Sequence, residues 1–317
     1  LGKTAAVVLS WLWNRQSKVA SASAESSSSS PWPRRLVYCL PMRTLVEQTA
    51  GEAEKWISNL TSSGLIKGLH PNVHILMGGE ETEPWDLYPE EDAILIGTQD
   101  MLLSRALNRG YGMSRYRWPM HFGLLNNDCL WVLDETQLMG SALWTTAQLD
   151  WMRQDRFPSF KRCVSWWMSA TLGTQFFHTL DRNHAGMAAP NPLCLSPQEE
   201  TNIAALKAIR PVQSYEVKPP TKKKAKAKDK SADASPTDWF IQQLADSVVQ
   251  EHQAGHLTLV VCNRVRYAQE IKAAIQSRSQ TQNTEVLLLT SRFRPCDRQE
   301  TLRKVIAFEE ARKAGNS

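Results

Sequence analysis

Six cysteines in 317 residues, none in a CxxC pair, give this chain neither the framework of a disulfide-stapled secreted domain nor that of a zinc module. Cys39, Cys129, Cys163 and Cys262 sit in or beside apolar runs that read as buried strands, so reduced core thiols are the simple assignment. No run approaches the ~18 apolar residues of a membrane span, and no charged-then-apolar leader opens the chain. A soluble, cytoplasmic protein without a membrane partner is expected. A global charge is missing too: six lysines between Lys222 and Lys230, set against Asp229, account for the whole net charge of +5. The remainder sums to zero, which excludes a broadly cationic surface, so any nucleic-acid groove must be a local arrangement of Arg and Lys.

The chain is not short of apolar residues. At 42% hydrophobic it can bury two cores, which excludes disorder throughout. It opens on Leu1 rather than Met, immediately before Gly2-Lys3-Thr4, so a natural start upstream is expected and the chain reads as a piece of a longer protein. Two stretches cannot pack a core: 17–30, nearly all Ser and Ala, and 218–235, rich in Lys and Ala. Both read as solvated loops. The second marks a domain boundary, and its lysines fit a flexible linker, a nuclear-import tag or a polyanion contact.

Between these stretches, short apolar runs alternate with segments of helical period, the pattern of a parallel sheet flanked by helices, hence an α/β fold. Strands are predicted at Leu36–Cys39, Val73–Met77, Ala93–Gly97, Cys129–Leu133 and Cys163–Met168, and helices at Thr44–Leu60, Asp100–Arg109 and Ser141–Arg153. Past the boundary the unit recurs: helix Thr237–Gln253, strand Leu257–Cys262, helix Val265–Ser277, strand Val286–Thr290, helix Arg298–Lys313.

Three short motifs carry chemistry. Gly2-Lys3-Thr4 runs into an apolar helix; helix N-terminal amides and a Lys ammonium suit a triphosphate, and the Thr hydroxyl suits Mg²⁺. A bare GKT is common by chance. About 130 residues on, the strand Cys129–Leu133 delivers Asp134 and Glu135 to its carboxyl edge, where open α/β sheets bind ligands. Asp134 suits a metal and Glu135 an attacking water, although adjacent acids also serve as helix caps. About 35 residues later Ser169-Ala170-Thr171 ends the next strand; its hydroxyls can bridge to Gln137, or act as a plain N-cap. Order and spacing separate these readings.

In that order the chain resembles superfamily 2 helicases, with a partial motif I, motif II as Asp134-Glu135-Thr136-Gln137 and motif III as Ser169-Ala170-Thr171. Pro41-Met42-Arg43-Thr44-Leu45 is similar to motif Ia, Met77-Gly78-Gly79 to the glycine pair, Gly97-Thr98-Gln99-Asp100 to the backbone-contacting segment, and Leu259–Val265 to motif IV. Leu287–Pro295 with Asp297-Arg298 resembles the helicase-nuclease of type I CRISPR systems, and Gln137 at the end of motif II is similar to subtype I-U/I-G.

The resemblance implies two RecA-like domains, the first at 1–200, a linker at 201–236 and part of a second at 237–317. It implies ATP and Mg²⁺ as cofactors, with Gly2, Lys3 and Thr4 holding nucleotide, Thr4 and Asp134 the metal, and Lys3, Asp134 and Glu135 catalytic. Gln137, Ser169 and Thr171 would couple the domains, and Arg43, Thr44, Gly78 and Thr98 would line a phosphate track, where turns and caps are the alternative. The implied activity is ATP-dependent unwinding of target DNA in antiviral defence, with single-stranded DNA and an RNA-guided surveillance complex as partners. Motifs V and VI are expected past Ser317, and without the arginine of motif VI slow hydrolysis is expected of this piece. No His-Asp dipeptide occurs, so no nuclease activity is expected from it. The rivals are a DEAD/DEAH-type RNA helicase of another pathway and a nucleic-acid-binding remnant without hydrolysis.

Overall fold

The computed structural model describes residues 2–19, 32–78, 84–110, 112–157, 159–171, 173–194, 196–202, 236–279 and 284–314. It divides into two compact units, Leu1–Cys194 and Leu195–Ser317.

The first unit is built on a parallel sheet. Its strands are β1 (Arg35–Leu40), β2 (Asn72–Leu76), β3 (Ala93–Thr98), β4 (Cys129–Leu133) and β5 (Cys163–Trp167), in the order β2-β3-β1-β4-β5. All four pairings are parallel, with Tyr38 opposite both Ile96 and Val132. β1, β3 and β4 are buried along their whole length, which is why they read in sequence as unbroken apolar runs rather than as alternation.

Successive side chains point to opposite faces, and the two faces carry separate layers. Leu36, Tyr38, Leu40, Ile94, Ile96, Leu130 and Val132 pack beneath α1 (Lys3–Val19) and α2 (Arg43–Ser62). Val37, Cys39, Leu95, Trp131 and Leu133 pack beneath α3 (Gln99–Ala106), α4 (Trp118–Leu125) and α5 (Ala142–Trp151). On α1 the inward residues are Val7, Val8, Trp11 and Leu12, the i, i+1, i+4, i+5 stripe of a helix lying on a sheet. Trp11 Nε1 donates to Pro33 O at 2.9 Å, and Arg15 pairs with Asp92, pinning α1 to the start of β1 and the segment ahead of β3. Each large aliphatic chain buried in these layers contributes roughly 1.5–3 kcal/mol.

One expectation needs correction in this unit, and one helix adds to those expected. The serine-rich stretch was expected to be loop from Ser17, but α1 continues through Val19, because an amphipathic helix already anchored by Trp11 and Arg15 propagates through residues of middling propensity; 20–30 lie outside the described residues. Helix α4 was not foreseen: its sequence Trp-Pro-Met-His-Phe-Gly-Leu-Leu is apolar on all sides and carries no helical period.

The second unit contains helices Pro236–Glu251, Val265–Ser279 and Pro295–Lys313. Ile241, Ala245, Ile271, Ala274 and Ile275 form its core, with Val260, Cys262 and Val286 packed against it. The strands expected at Leu257–Cys262 and Val286–Thr290 do not form a hydrogen-bonded ladder among the described residues. Their apolar residues alternate between the core and solvent, with Leu259 and Val261 exposed. That phase suits a strand, but a strand exists only where a neighbour closes its backbone hydrogen bonds. The lysine-rich segment 218–235 lies outside the described residues. No described helix is long and apolar enough to cross a membrane.

Candidate functional site

The carboxyl ends of β1 and β4 and the first turn of α1 meet at one edge of the first unit. Gly2 stands at φ +72°, and Ala6 N donates to Gly2 O at 2.9 Å, so the helix begins directly after a left-handed glycine. The opening amides of a helix lack internal partners and carry the positive end of its dipole. Such an N-terminus presents donors to an anion.

Lys3 stands in that first turn, with Nζ 3.7 Å from Asp134 Oδ1 and 3.6 Å from Glu135 Oε1. Asp134 is buried, while Lys3 and Glu135 keep contact with solvent. Asp134 N donates to Cys39 O at 3.1 Å, extending the β1–β4 pairing one residue past the strand and fixing where the carboxylate emerges. Tyr38, on β1, reaches from below: its hydroxyl lies 2.8 Å from Asp134 Oδ2 and 3.2 Å from Thr4 Oγ1. Burial, and then the negative charge of Asp134, push the Tyr38 phenol well above its ordinary range, so it remains a protonated donor.

The backbone turns sharply at the next residue. Glu135 adopts φ +52°, ψ +44°, a left-handed conformation that costs a side-chain-bearing residue roughly 1–3 kcal/mol. Glu135 N donates to Asp134 Oδ1 at 2.8 Å, and Thr136 N donates to Met168 O at 3.1 Å, which hold the turn from both sides. The effect is to bring Asp134 and Glu135 to the same cation, where an extended chain would send them to opposite faces.

Glu135 is also the first link of a polar chain. Gln137 Nε2 donates to Glu135 Oε2 at 2.5 Å, Ser169 Oγ donates to Gln137 Oε1 at 2.7 Å, and Thr171 N donates to Ser169 Oγ at 3.1 Å. The segments after β4 and β5 are thereby joined. Arg43, at the start of α2, donates to Gly78 O, and Thr44 lies beside it in the first turn. Thr98 is the N-cap residue of α3, opposite Leu40 in the ladder. These four lie at or just past the carboxyl ends of β1, β2 and β3, on the same sheet edge as the lysine–carboxylate cluster. At that edge a Cβ on Gly97 would come within 2.7 Å of Leu76 O, so only glycine lets β3 close on β2 there. Gly79 lies outside the described residues.

Tyr38 is the member of the cluster that the sequence reading did not single out. A phenol within an otherwise apolar central strand reads as core; its one signal was a polar tip at the strand phase that faces α1.

Among the described residues no group of three or more His, Cys, Asp and Glu side chains is arranged to hold a metal. That does not weigh against Mg²⁺, which takes one or two protein ligands and completes its shell with phosphate and water. Thr4 and Asp134, tied to one phenol beside a lysine and an open helix N-terminus, are a donor set of that kind.

The comparisons with known proteins agree with this architecture. No curated protein matches the chain. The C-terminal region of "CRISPR-associated nuclease/helicase Cas3" matches residues 254–316. Among solved structures, that of Mycobacterium smegmatis helicase Lhr bound to ssDNA and AMP-PNP superposes with a TM-score of 0.50 at 11% identity, over 89% of this chain and 33% of that one. At such identity the likeness concerns the fold, and the chain spans about a third of that helicase's length. The DEAD/DEAH box helicase family matches residues 1–179, more than half of the chain and the whole of the site just described; the chain, a RecA-like α/β protein, belongs to that family.

Proposed function

We propose that the protein is the nucleotide-binding part of an ATP-dependent DNA helicase or translocase of a type I CRISPR interference system. The observation that carries the reading is the placement of one ammonium, Lys3, 3.6–3.7 Å from two adjacent carboxylates at the N-terminus of a helix. In the absence of nucleotide the lysine neutralises acids that would otherwise repel one another. With ATP it would turn to the β- and γ-phosphates, beside the amides that follow Gly2. Mg²⁺, held by Thr4 and Asp134, would offset charge on the phosphate oxygens. Glu135 would orient the attacking water and accept its proton.

The chain Glu135–Gln137–Ser169–Thr171 supports a coupling role, because a change at Glu135 alters partners on the segment after β5. Arg43, Thr44, Gly78 and Thr98 offer one guanidinium, hydroxyls and backbone groups along one edge, a set suited to the phosphates of a single strand. The ssDNA and AMP-PNP of the Lhr structure support a strand and a nucleotide as ligands here. The similarity over 254–316 supports a CRISPR context, with an RNA-guided surveillance complex as partner and the cytoplasm as its place. Domains at 1–200 and 237–317, joined by 201–236, form part of the same proposal.

ATPase of the full-length protein, measured with single-stranded DNA, single-stranded RNA or neither, tests it. DNA is expected to stimulate turnover most, and Glu135→Gln to reduce it at least ~100-fold while nucleotide still binds. Stimulation by RNA alone would favour an RNA helicase of another pathway. Strand binding indifferent to nucleotide would favour a remnant, and turnover untouched by Glu135→Gln would end the motor reading.

A further inference from the structure

We propose that Tyr38 is a positioning residue of the nucleotide site, whose hydroxyl sets the carboxylate of Asp134 and the hydroxyl of Thr4 in the orientation that receives Mg²⁺. The inference rests on the nucleotide-site reading above. Tyr38 is fully buried on the central strand, within the apolar layer under α1. Packing alone would be served there by phenylalanine. The phenolic oxygen has polar partners only because it reaches the end of the layer, where Thr4 and Asp134 meet.

Counting protons orients the network. An ionised carboxylate only accepts, so the single Tyr38 proton goes to Asp134 Oδ2, over 2.8 Å. The phenolic oxygen then accepts, and the proton of Thr4 points to it over 3.2 Å. Two consequences follow. Asp134 is held at both oxygens, Oδ2 by Tyr38 and Oδ1 by the Glu135 amide at 2.8 Å, so the carboxylate cannot rotate. With its proton directed into the core, Thr4 Oγ1 keeps a lone pair toward the cleft, the arrangement a cation needs from a neutral hydroxyl. Partners behind metal ligands commonly account for 10–100-fold in metal affinity.

Tyr38→Phe keeps the ring and removes the one atom at issue. The readout is the Mg²⁺ concentration giving half-maximal binding of a fluorescent ATP analogue by the full chain, with thermal unfolding of the free protein as a check on folding. A rise of ~10–100-fold is expected in Tyr38→Phe. Because Tyr38 acts in part through Asp134, the same substitution made on an Asp134→Asn background should move the midpoint by a clearly smaller factor. An unchanged midpoint in Tyr38→Phe, while Asp134→Asn alone shifts it, overturns the inference and leaves the nucleotide site standing. So does an equal effect on both backgrounds, which would mark Tyr38 as purely structural. Binding of the analogue untouched by both Asp134→Asn and Lys3→Ala overturns the site reading, and this inference falls with it.

Discussion

Removing the carboxylate of Asp150 is predicted to destabilise the first unit more than removing its ion pair altogether. Asp150 lies on α5 and Arg182 on a short helix, Leu180–His184, in the segment that follows Thr171. Both are almost completely buried, with Arg182 Nη1 3.0 Å from Asp150 Oδ2. The guanidinium also donates to Ala188 O at 3.1 Å and stands 5.2 Å from the centre of the Phe177 ring. In Asp150→Ala the guanidinium remains inside without its counter-charge, a loss of roughly 3–5 kcal/mol. For a unit of this size, where 1 kcal/mol moves the midpoint by roughly 2–4 °C, the melting temperature falls by roughly 6–20 °C. Replacing both partners, Asp150→Leu with Arg182→Met, removes the stranded charge and restores most of the loss. Urea unfolding followed by tryptophan fluorescence reads all three proteins. If Asp150→Ala is as stable as the double variant, the segment is not anchored by a buried pair and the reasoning is wrong.

Two further outcomes follow from the geometry. Glu135 holds a left-handed backbone, so Glu135→Gly should be more stable than Glu135→Ala by about 1 kcal/mol; equal or inverted urea midpoints would show that the turn carries no strain. Acidification from pH 7.5 to 5.5 should also cost stability through His121. Burial lowers the His121 pKa from its ordinary 6.5, opposed by the hydrogen bond to Asp86, with the Arg105 and Arg117 charges lowering it further. Asp86 is likewise held below its usual range: burial works to raise it, and the hydrogen bonds from Arg117 and His121 outweigh that. The unfolded chain therefore takes up the imidazole proton first, and this contribution is complete above pH 6.5 and declines as pH falls below it. His121→Gln should flatten that part of the profile; an unaltered slope would contradict the assignment.

The buried parallel strands were legible because both of their faces are covered, which writes them as uninterrupted apolar runs. The residues of the lysine–carboxylate cluster were legible because short motifs at strand and helix edges mark positions where chemistry can occur. What stayed hidden depends on contacts distant in sequence. Tyr38 becomes a polar partner only when β1 brings it beneath Thr4 and Asp134, and the Asp86–His121–Arg117 knot joins residues whose local patterns say nothing of one another. The left-handed Glu135 was equally silent, since its conformation is imposed by the Thr136–Met168 bond. In the second unit the short apolar run Leu257–Cys262 reads as a strand, yet an apolar run alone cannot supply the ladder that defines one.

The most direct test is a crystal structure of the protein with Mg²⁺ and a non-hydrolysable ATP analogue. The account predicts phosphates over the N-terminus of α1, the Lys3 ammonium on the β- and γ-phosphate oxygens, and the cation between Thr4 and Asp134. A nucleotide seated away from Lys3, or a cation that touches neither Thr4 nor Asp134, would contradict it.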